Sequence, residues 1–123
     1  FDGTFEILDY LKKNYKLHII TNGFEEIQTK KMINSKIYHY FEKVITSESV
    51  GVKKPNPKVF KHALEIANAN IDQAIMIGDS IEADINGALG VGMKAIHCNF
   101  DTSLVPNNLF ISVSSLLEIK KFI

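Results

Sequence analysis

Two carboxylates, Asp79 and Asp84, stand five positions apart directly after an apolar segment, 74–78, that ends at Gly78. The apolar residues beyond them recur at helical spacing, so the pattern predicts a buried strand, a tight turn and the start of a helix. An ionised carboxylate at the end of a parallel strand is costly unless it meets a cation or a hydrogen-bond donor. Hard oxygen ligands of this kind suit Mg²⁺, whereas the simpler alternative is that Asp79 or Ser80 only caps the helix.

Polar groups also follow the first two predicted strands. The first ends at Thr21, before Asn22 and Gly23, and the loop after the second carries Lys54. Because the carboxyl ends of parallel strands share one edge of a sheet, we expect these groups to lie near Asp79. A hydroxyl, an ammonium and a pair of carboxylates together suit a phosphoryl group, although each has a simpler explanation as a cap or a solvated loop residue.

The elements that would position these residues alternate along the chain. Strands are predicted at 17–21, 41–46, 74–78, 94–97 and 110–111. Helices are predicted after Thr4 as the N-cap, over about 24–35, after Asn56 as the N-cap, after Asp79 as far as about residue 92, and from a capping box at Ser115 and Glu118. This alternation predicts an α/β fold with a mostly parallel sheet and helices on both faces. Gly87, inside the fourth helix, predicts close backbone packing there.

Length and composition limit the function classes. A chain of 123 residues fits one domain, and 14 basic residues balance 14 acidic ones. No basic surplus indicates binding to nucleic acid or to an anionic membrane, and no apolar run approaches the length of a membrane span. The single cysteine, Cys98, excludes an internal disulfide and indicates a reducing cytoplasm, and we interpret it as a small buried hydrophobe.

Three segments together resemble the motifs of the haloacid dehalogenase-like hydrolases. Residues 19–23 (Ile-Ile-Thr-Asn-Gly) resemble the second motif, whose hydroxyl binds the phosphoryl group. Residues 51–57 resemble the third, whose lysine precedes a proline and therefore corresponds to Lys54. Residues 78–88 resemble the fourth, with its two metal-site aspartates. The resemblance runs from about residue 3 to the C-terminus, and residues 21–28 with 48–52 are most similar to the pyrimidine 5′-nucleotidase-like subgroup.

The family's first motif, Asp-x-Asp-x-Thr, does not occur in the chain. Asp2, Gly3 and Thr4 echo its end, but no apolar strand precedes Asp2, and we interpret Gly3 as the glycine that precedes the first helix after the cap insertion. The resemblance therefore implies a Rossmann-like three-layer sandwich that lacks the central nucleophile strand and the helical cap. Residues 1–123 would be a partial core domain holding motifs two to four.

The resemblance implies a double displacement in the parent protein. An aspartate outside this chain would attack phosphorus and form an aspartyl-phosphate, which water then hydrolyses. Thr21, Asn22 and Gly23 would bind phosphoryl oxygens together with Lys54, and Asp79 and Asp84 would form the Mg²⁺ site, Asp84 acting by orienting bound water or Lys54. The substrate would be a small phosphorylated metabolite or a nucleotide, and this chain alone would be inactive.

Other interpretations remain open at this point. The chain could be a non-catalytic regulatory or interaction module, or a haloacid dehalogenase of the same family. A phosphoacceptor receiver domain would need an acidic pair after its first strand, which the sequence lacks. The missing central strand would have to be replaced by the N-terminal part of the parent or a second copy, by direct pairing of the strands ending at Thr21 and Gly78, or by an exchanged dimer.

Overall fold

The computed structural model of the chain describes residues 3–22, 25–34, 36–99 and 109–123. Within these ranges the strands are β1 His18–Thr21, β2 Lys43–Thr46, β3 Ile75–Gly78, β4 Lys94–Cys98 and β5 Ile111–Val113. The α-helices are α1 Thr4–Lys12, α2 Glu25–Asn34, α3 Ser47–Val50, α4 Pro57–Ala67 and α5 Asn86–Gly90. Short 3₁₀ turns cover Tyr38–Tyr40, Ile71–Gln73 and Leu116–Lys121, and a π-turn covers Ile81–Ile85. The predicted alternation of strands and helices is confirmed.

The strands form two small parallel sheets. β1 pairs with β2, and β3, β4 and β5 pair in that order. An α/β fold with parallel strands is therefore confirmed, but β1 and β3 are not hydrogen-bonded to each other and each sheet is open. Direct pairing of β1 with β3, one of the three alternatives for the sheet, is wrong. The Lys54 side chain lies between the carboxyl ends of these two strands. Direct pairing would instead place backbone hydrogen bonds between β1 and β3 there.

Two apolar clusters cover opposite faces of the strands. Ile75 and Ile77 of β3 pack against the first cluster, and Met76 between them packs against the second. Such alternation follows from the two-residue period of a strand. The first cluster is built from buried residues of α1, β4, β5 and the last 3₁₀ turn, which are Ile7, Leu11, Ile96, Cys98, Val113 and Ile119. The second is built from α4, α5 and their surroundings, with Val59, Phe60, Ile85, Ala88, Met93 and Ala95. Helices therefore lie on both faces, as predicted.

Helix starts are only partly as predicted. Asn56 does cap α4, because its side chain accepts a hydrogen bond from the amide of Lys58 at 3.0 Å. Thr4 is not a cap, since α1 begins at Thr4 and Gly3 is the N-cap in a left-handed conformation (φ 81°) with no side-chain bond. That geometry agrees with Gly3 as the glycine that precedes the helix.

Two further helix predictions are wrong in detail. The capping box at Ser115 does not form, because the Glu118 carboxylate accepts hydrogen bonds from the hydroxyl and amide of Ser114 and the element is a 3₁₀ turn. The helix after Asp79 begins as a π-turn, in which the amide of Ile85 donates to the Ser80 carbonyl oxygen at 3.1 Å. Among the described residues, no helix has both the length and the apolar character needed to cross a bilayer.

Candidate active site

Lys54 joins two strand ends. Its ammonium lies 2.5 Å from Asp84 Oδ1, and Nζ also donates to the carbonyl oxygen of Ile20 in β1 at 3.3 Å. The side chains of Lys54 and Asp84 are only 11% and 7% exposed, so water screens this ion pair weakly. A fixed positive charge thus lies beside the carboxyl end of β1 and the turn that follows β3.

Asn22 connects the loop after β1 to the backbone of Lys54. The Lys54 amide donates to Asn22 Oδ1 at 2.9 Å, and Asn22 Nδ2 donates to the Lys54 carbonyl oxygen at 3.5 Å. The carbonyl oxygen of Asn22 in turn accepts a hydrogen bond from the Ser47 hydroxyl at 2.9 Å. Ser47 is the first residue of α3, directly after β2, so the loops after β1 and β2 are connected to each other and to Lys54.

Asp84 is buried by the π-turn. Its Oδ2 accepts a hydrogen bond from the amide of Ser80 at 3.3 Å, while the Ser80 hydroxyl accepts one from the amide of Ala83 at 3.0 Å. Gly78 leaves the space for this carboxylate, because a Cβ on Gly78 would collide with the side chain of Asp84. Both Asp84 oxygens are therefore engaged within the chain, one by Lys54 and one by a backbone amide.

Asp79 follows β3 directly and is exposed. Its backbone carbonyl oxygen accepts a hydrogen bond from His97 Nε2 at 3.0 Å, which places the proton of a neutral His97 ring on Nε2. His97 is 4% exposed, and its Nδ1 has no hydrogen-bond partner within the described residues. The Asp79 backbone is thus held from β4, and the residue is exposed at the carboxyl end of β3.

Thr21 lies at the end of β1 and is half-buried, opposite Thr46 in the register of β1 and β2. Gly23 lies outside the described residues. Lys54 contacts Asn22 through its backbone and Asp84 through its ammonium. Thr21 is the last residue of β1, and Asp79 directly follows β3.

The donor set suits Mg²⁺ only in part. Mg²⁺ in proteins is held by one or two carboxylates and otherwise by water and substrate phosphate, and Asp79 offers an exposed carboxylate at a strand end. Within the described ranges, no group of three or more His, Cys, Asp or Glu side chains could hold a metal. The residues therefore fit an ion bound through Asp79 and completed by ligands outside this set, with Asp84 kept in place by Lys54.

Sequence reasoning missed Ser47 and His97. Ser47 directly follows β2 as Asn22 directly follows β1, which was a visible signal, but the contact of Ser47 with Asn22 joins residues 25 positions apart. His97 lies at the end of β4, and only the register of β3 with β4 places it opposite Gly78, next to Asp79.

Comparison with known proteins identifies the family of the chain. The family described as haloacid dehalogenase-like hydrolase matches residues 1–98. A glyceraldehyde 3-phosphate phosphatase of Methanothermobacter thermautotrophicus is 38% identical over 96 residues, covering 78% of this chain and 42% of the relative. A pyrimidine 5′-nucleotidase of Escherichia coli is 35% identical over 124 residues, covering 98% of this chain and 55% of the relative. The chain thus spans about half the length of these relatives.

Solved structures show the same similarity. A haloacid dehalogenase-like phosphatase of Thermococcus onnurineus is 33% identical with a TM-score of 0.92, and covers 98% of this chain and 56% of its own. A magnesium-bound putative hydrolase of Bacillus subtilis is 29% identical with a TM-score of 0.88, and covers 98% of this chain and 53% of its own. With the order of the motifs and the geometry around Lys54, these similarities show that the chain belongs to the haloacid dehalogenase-like hydrolases.

Proposed function

We propose that the whole protein is a Mg²⁺-dependent phosphohydrolase that acts through an aspartyl-phosphate on a residue outside this chain. The observation that supports this most strongly is the shielded Lys54–Asp84 ion pair between the ends of β1 and β3. A phosphoryl group bears negative charge on its oxygens, and a fixed ammonium in a weakly screened position stabilises such charge. The phosphatases and the nucleotidase among the relatives point to the same class of reaction.

Each residue has a role that its position permits. The Lys54 ammonium would neutralise charge on the phosphoryl oxygens. The Thr21 hydroxyl and the backbone amide of Asn22 would donate hydrogen bonds to these oxygens. Gly23 is proposed for the same phosphate site from its place in the sequence. Asp79 would hold Mg²⁺, and Asp84 would position Lys54. Bound Mg²⁺ would supply Lewis-acid charge neutralisation.

The substrate class follows from the relatives and is part of the proposal. A small phosphomonoester is proposed, and a pyrimidine nucleotide is favoured because the nucleotidase relative matches nearly the whole chain. Completion of the site by an N-terminal part of the same protein or by a second copy, and a place in the cytoplasm, also belong to this proposal. The 123 residues alone are proposed to be inactive.

A phosphomonoester screen of the full-length protein tests this function. Release of inorganic phosphate from aryl phosphate, nucleoside monophosphates and sugar phosphates is measured with Mg²⁺ and with excess chelator. We expect hydrolysis that requires Mg²⁺ and is lost in Asp79→Ala. A parallel assay for halide release from 2-haloacids identifies a dehalogenase, which a neighbour described as a 2-haloacid dehalogenase at 27% identity makes a reasonable second candidate. Absence of both activities would favour a non-catalytic module.

A further inference from the structure

The backbone of Lys54 is hydrogen-bonded by the side chain of Asn22, which lies in another loop. Lys54 lies in the turn between α3 and α4, outside the hydrogen-bond ladders of strands and helices. The Asn22 amide group contacts both the N–H and the C=O of Lys54. An amide side chain has both an acceptor and a donor, so it can bond the N–H and the C=O of one residue. Two such hydrogen bonds restrain both the position and the orientation of the Lys54 backbone.

Ser47 restrains Asn22 through the backbone of Asn22. Its hydroxyl donates to the Asn22 carbonyl oxygen, so Asn22 is held through its backbone by Ser47 and holds Lys54 through its side chain. Ser47 itself lies at the start of α3, whose N-cap Thr46 is fully buried and bonded to Ser49. This series of hydrogen bonds therefore begins next to a buried residue, Thr46, and ends at Lys54, whose side chain carries the ammonium.

We propose that Ser47 and Asn22 are positioning residues for Lys54, acting through the hydrogen bonds Ser47 Oγ to Asn22 O and Asn22 side chain to the Lys54 peptide. This inference rests on the proposed function of Lys54. It gives the Asn22 side chain a task distinct from that of the Asn22 backbone amide, which is proposed to bind phosphate.

The size of the effect follows from the sensitivity of catalysis to position. A displacement of about 1 Å at a reacting centre can cost about 100-fold in rate, so Asn22→Ala, which removes both bonds to Lys54, should lower kcat/KM by about 10- to 100-fold. Ser47→Ala removes one bond further away, and about a threefold to tenfold loss is expected. Ser47→Thr retains the hydroxyl and should restore most of the activity.

The first experiment measures kcat and KM of the full-length protein with an aryl phosphate and Mg²⁺. Ser115→Ala is the matched control, because Ser115 is exposed and makes no capping bond. Far-UV circular dichroism and thermal unfolding establish that the variants are folded, and if Asn22→Ala does not fold, Ser47→Ala and Ser47→Thr carry the test. Wild-type kinetics in folded Ser47→Ala and Asn22→Ala would overturn the inference.

A double-mutant cycle separates positioning from a general structural effect. If Asn22 acts through Lys54, adding Asn22→Ala to Lys54→Gln should change the affinity for inorganic phosphate by less than about twofold, because the effects of mutating interacting residues are not additive. An undiminished loss in the Lys54→Gln background would overturn the inference.

Binding of inorganic phosphate, measured by titration calorimetry, keeps this inference distinct from the proposed function. If the wild type binds phosphate without hydrolysing esters, the proposed function fails, yet weaker binding in Ser47→Ala and recovery in Ser47→Thr still support the positioning role. Unchanged affinity in Ser47→Ala would overturn that role even in an active enzyme. A wild type that neither binds inorganic phosphate nor hydrolyses phosphate esters would overturn both the proposed function and the positioning role.

Discussion

At the scale of single residues, the ion pair between Lys54 and Asp84 links chemistry to stability. Removing one partner of a buried pair leaves the other charge without compensation, which costs about 3–5 kcal/mol. The Asp84 side chain, 7% exposed, would keep one hydrogen bond from Ser80 but lose its counter-ion. The proposed function and the stability of this region therefore depend on the same contact.

Lys54→Ala is expected to abolish phosphatase activity and to lower the free energy of unfolding by about 3 kcal/mol, because Asp84 becomes an unpaired buried carboxylate. Urea unfolding of the full-length protein measures the second effect. In the matched variant Asp84→Asn the remaining lysine keeps its bond to the Ile20 carbonyl oxygen, and we expect a smaller loss. A fully stable Lys54→Ala variant would show that the pair is solvated in solution.

Cys98 should be chemically inert in the folded protein. Burial, with a smaller contribution from the negative charge of Asp79, raises the pKa of its thiol to about 11. The reactive thiolate is then scarce at pH 8, so alkylation by iodoacetamide should be far slower than in urea-unfolded protein. Mass spectrometry follows the labelling, and rapid modification of the folded protein at pH 8 would contradict the burial of this residue.

At the scale of elements, α5 packs on α4 through a residue without a side chain. A Cβ at Gly87 would overlap ring carbons of Phe60 and would lie 3.2 Å from Pro55 Cα, next to Lys54. The predicted close packing at Gly87 is thus confirmed. Gly87 therefore packs both against α4 and against the turn that carries Lys54, the proposed phosphate ligand.

Gly87→Ala is expected to destabilise the protein by about 1–3 kcal/mol, because the overlap with Phe60 outweighs the gain in helix propensity. Gly90→Ala is the matched control in the same helix, where a Cβ meets no atom within 4 Å. Equilibrium unfolding in urea compares the two variants, and kcat/KM should fall only in Gly87→Ala. Equal stability of both variants would contradict the packing at Gly87.

The sequence predicted the elements better than their contacts. Apolar segments bounded by turn residues located all five strands to within a few residues, since burial in a parallel sheet imposes that pattern. The π-turn at Ile81–Ile85 was missed because its composition does not differ from that of an α-helix. The contacts of Asn22 with Ser47 and Lys54 join residues 25 and 32 positions apart, and local patterns do not encode such pairing.

At the scale of the whole molecule, β1 and β3 are both edge strands of their sheets, although they lie next to the candidate site. Within the described ranges, β1 pairs only with β2 and β3 only with β4, whereas β4 pairs on both sides. All four residues of β1 and of β3 are half-buried, while four of the five in β4 are buried. Unpaired backbone groups at such edges attract another strand, and we expect a further segment of the protein or a second copy to pair with β1 and β3.

Hydrogen exchange tests this expectation directly. In the isolated 123-residue chain, peptides covering β1 and β3 should exchange their amide protons much faster than the peptide covering β4, because partly unpaired strands open at low free energy. In the full-length protein, protection of β1 and β3 should rise towards that of β4, while β5, which pairs with β4 alone, serves as the reference for a strand that gains no partner. Mass spectrometry of the two samples under the same conditions gives the comparison. If β1 and β3 are equally protected in both samples, no strand inserts between them, and the site around Lys54 is formed by these residues without it.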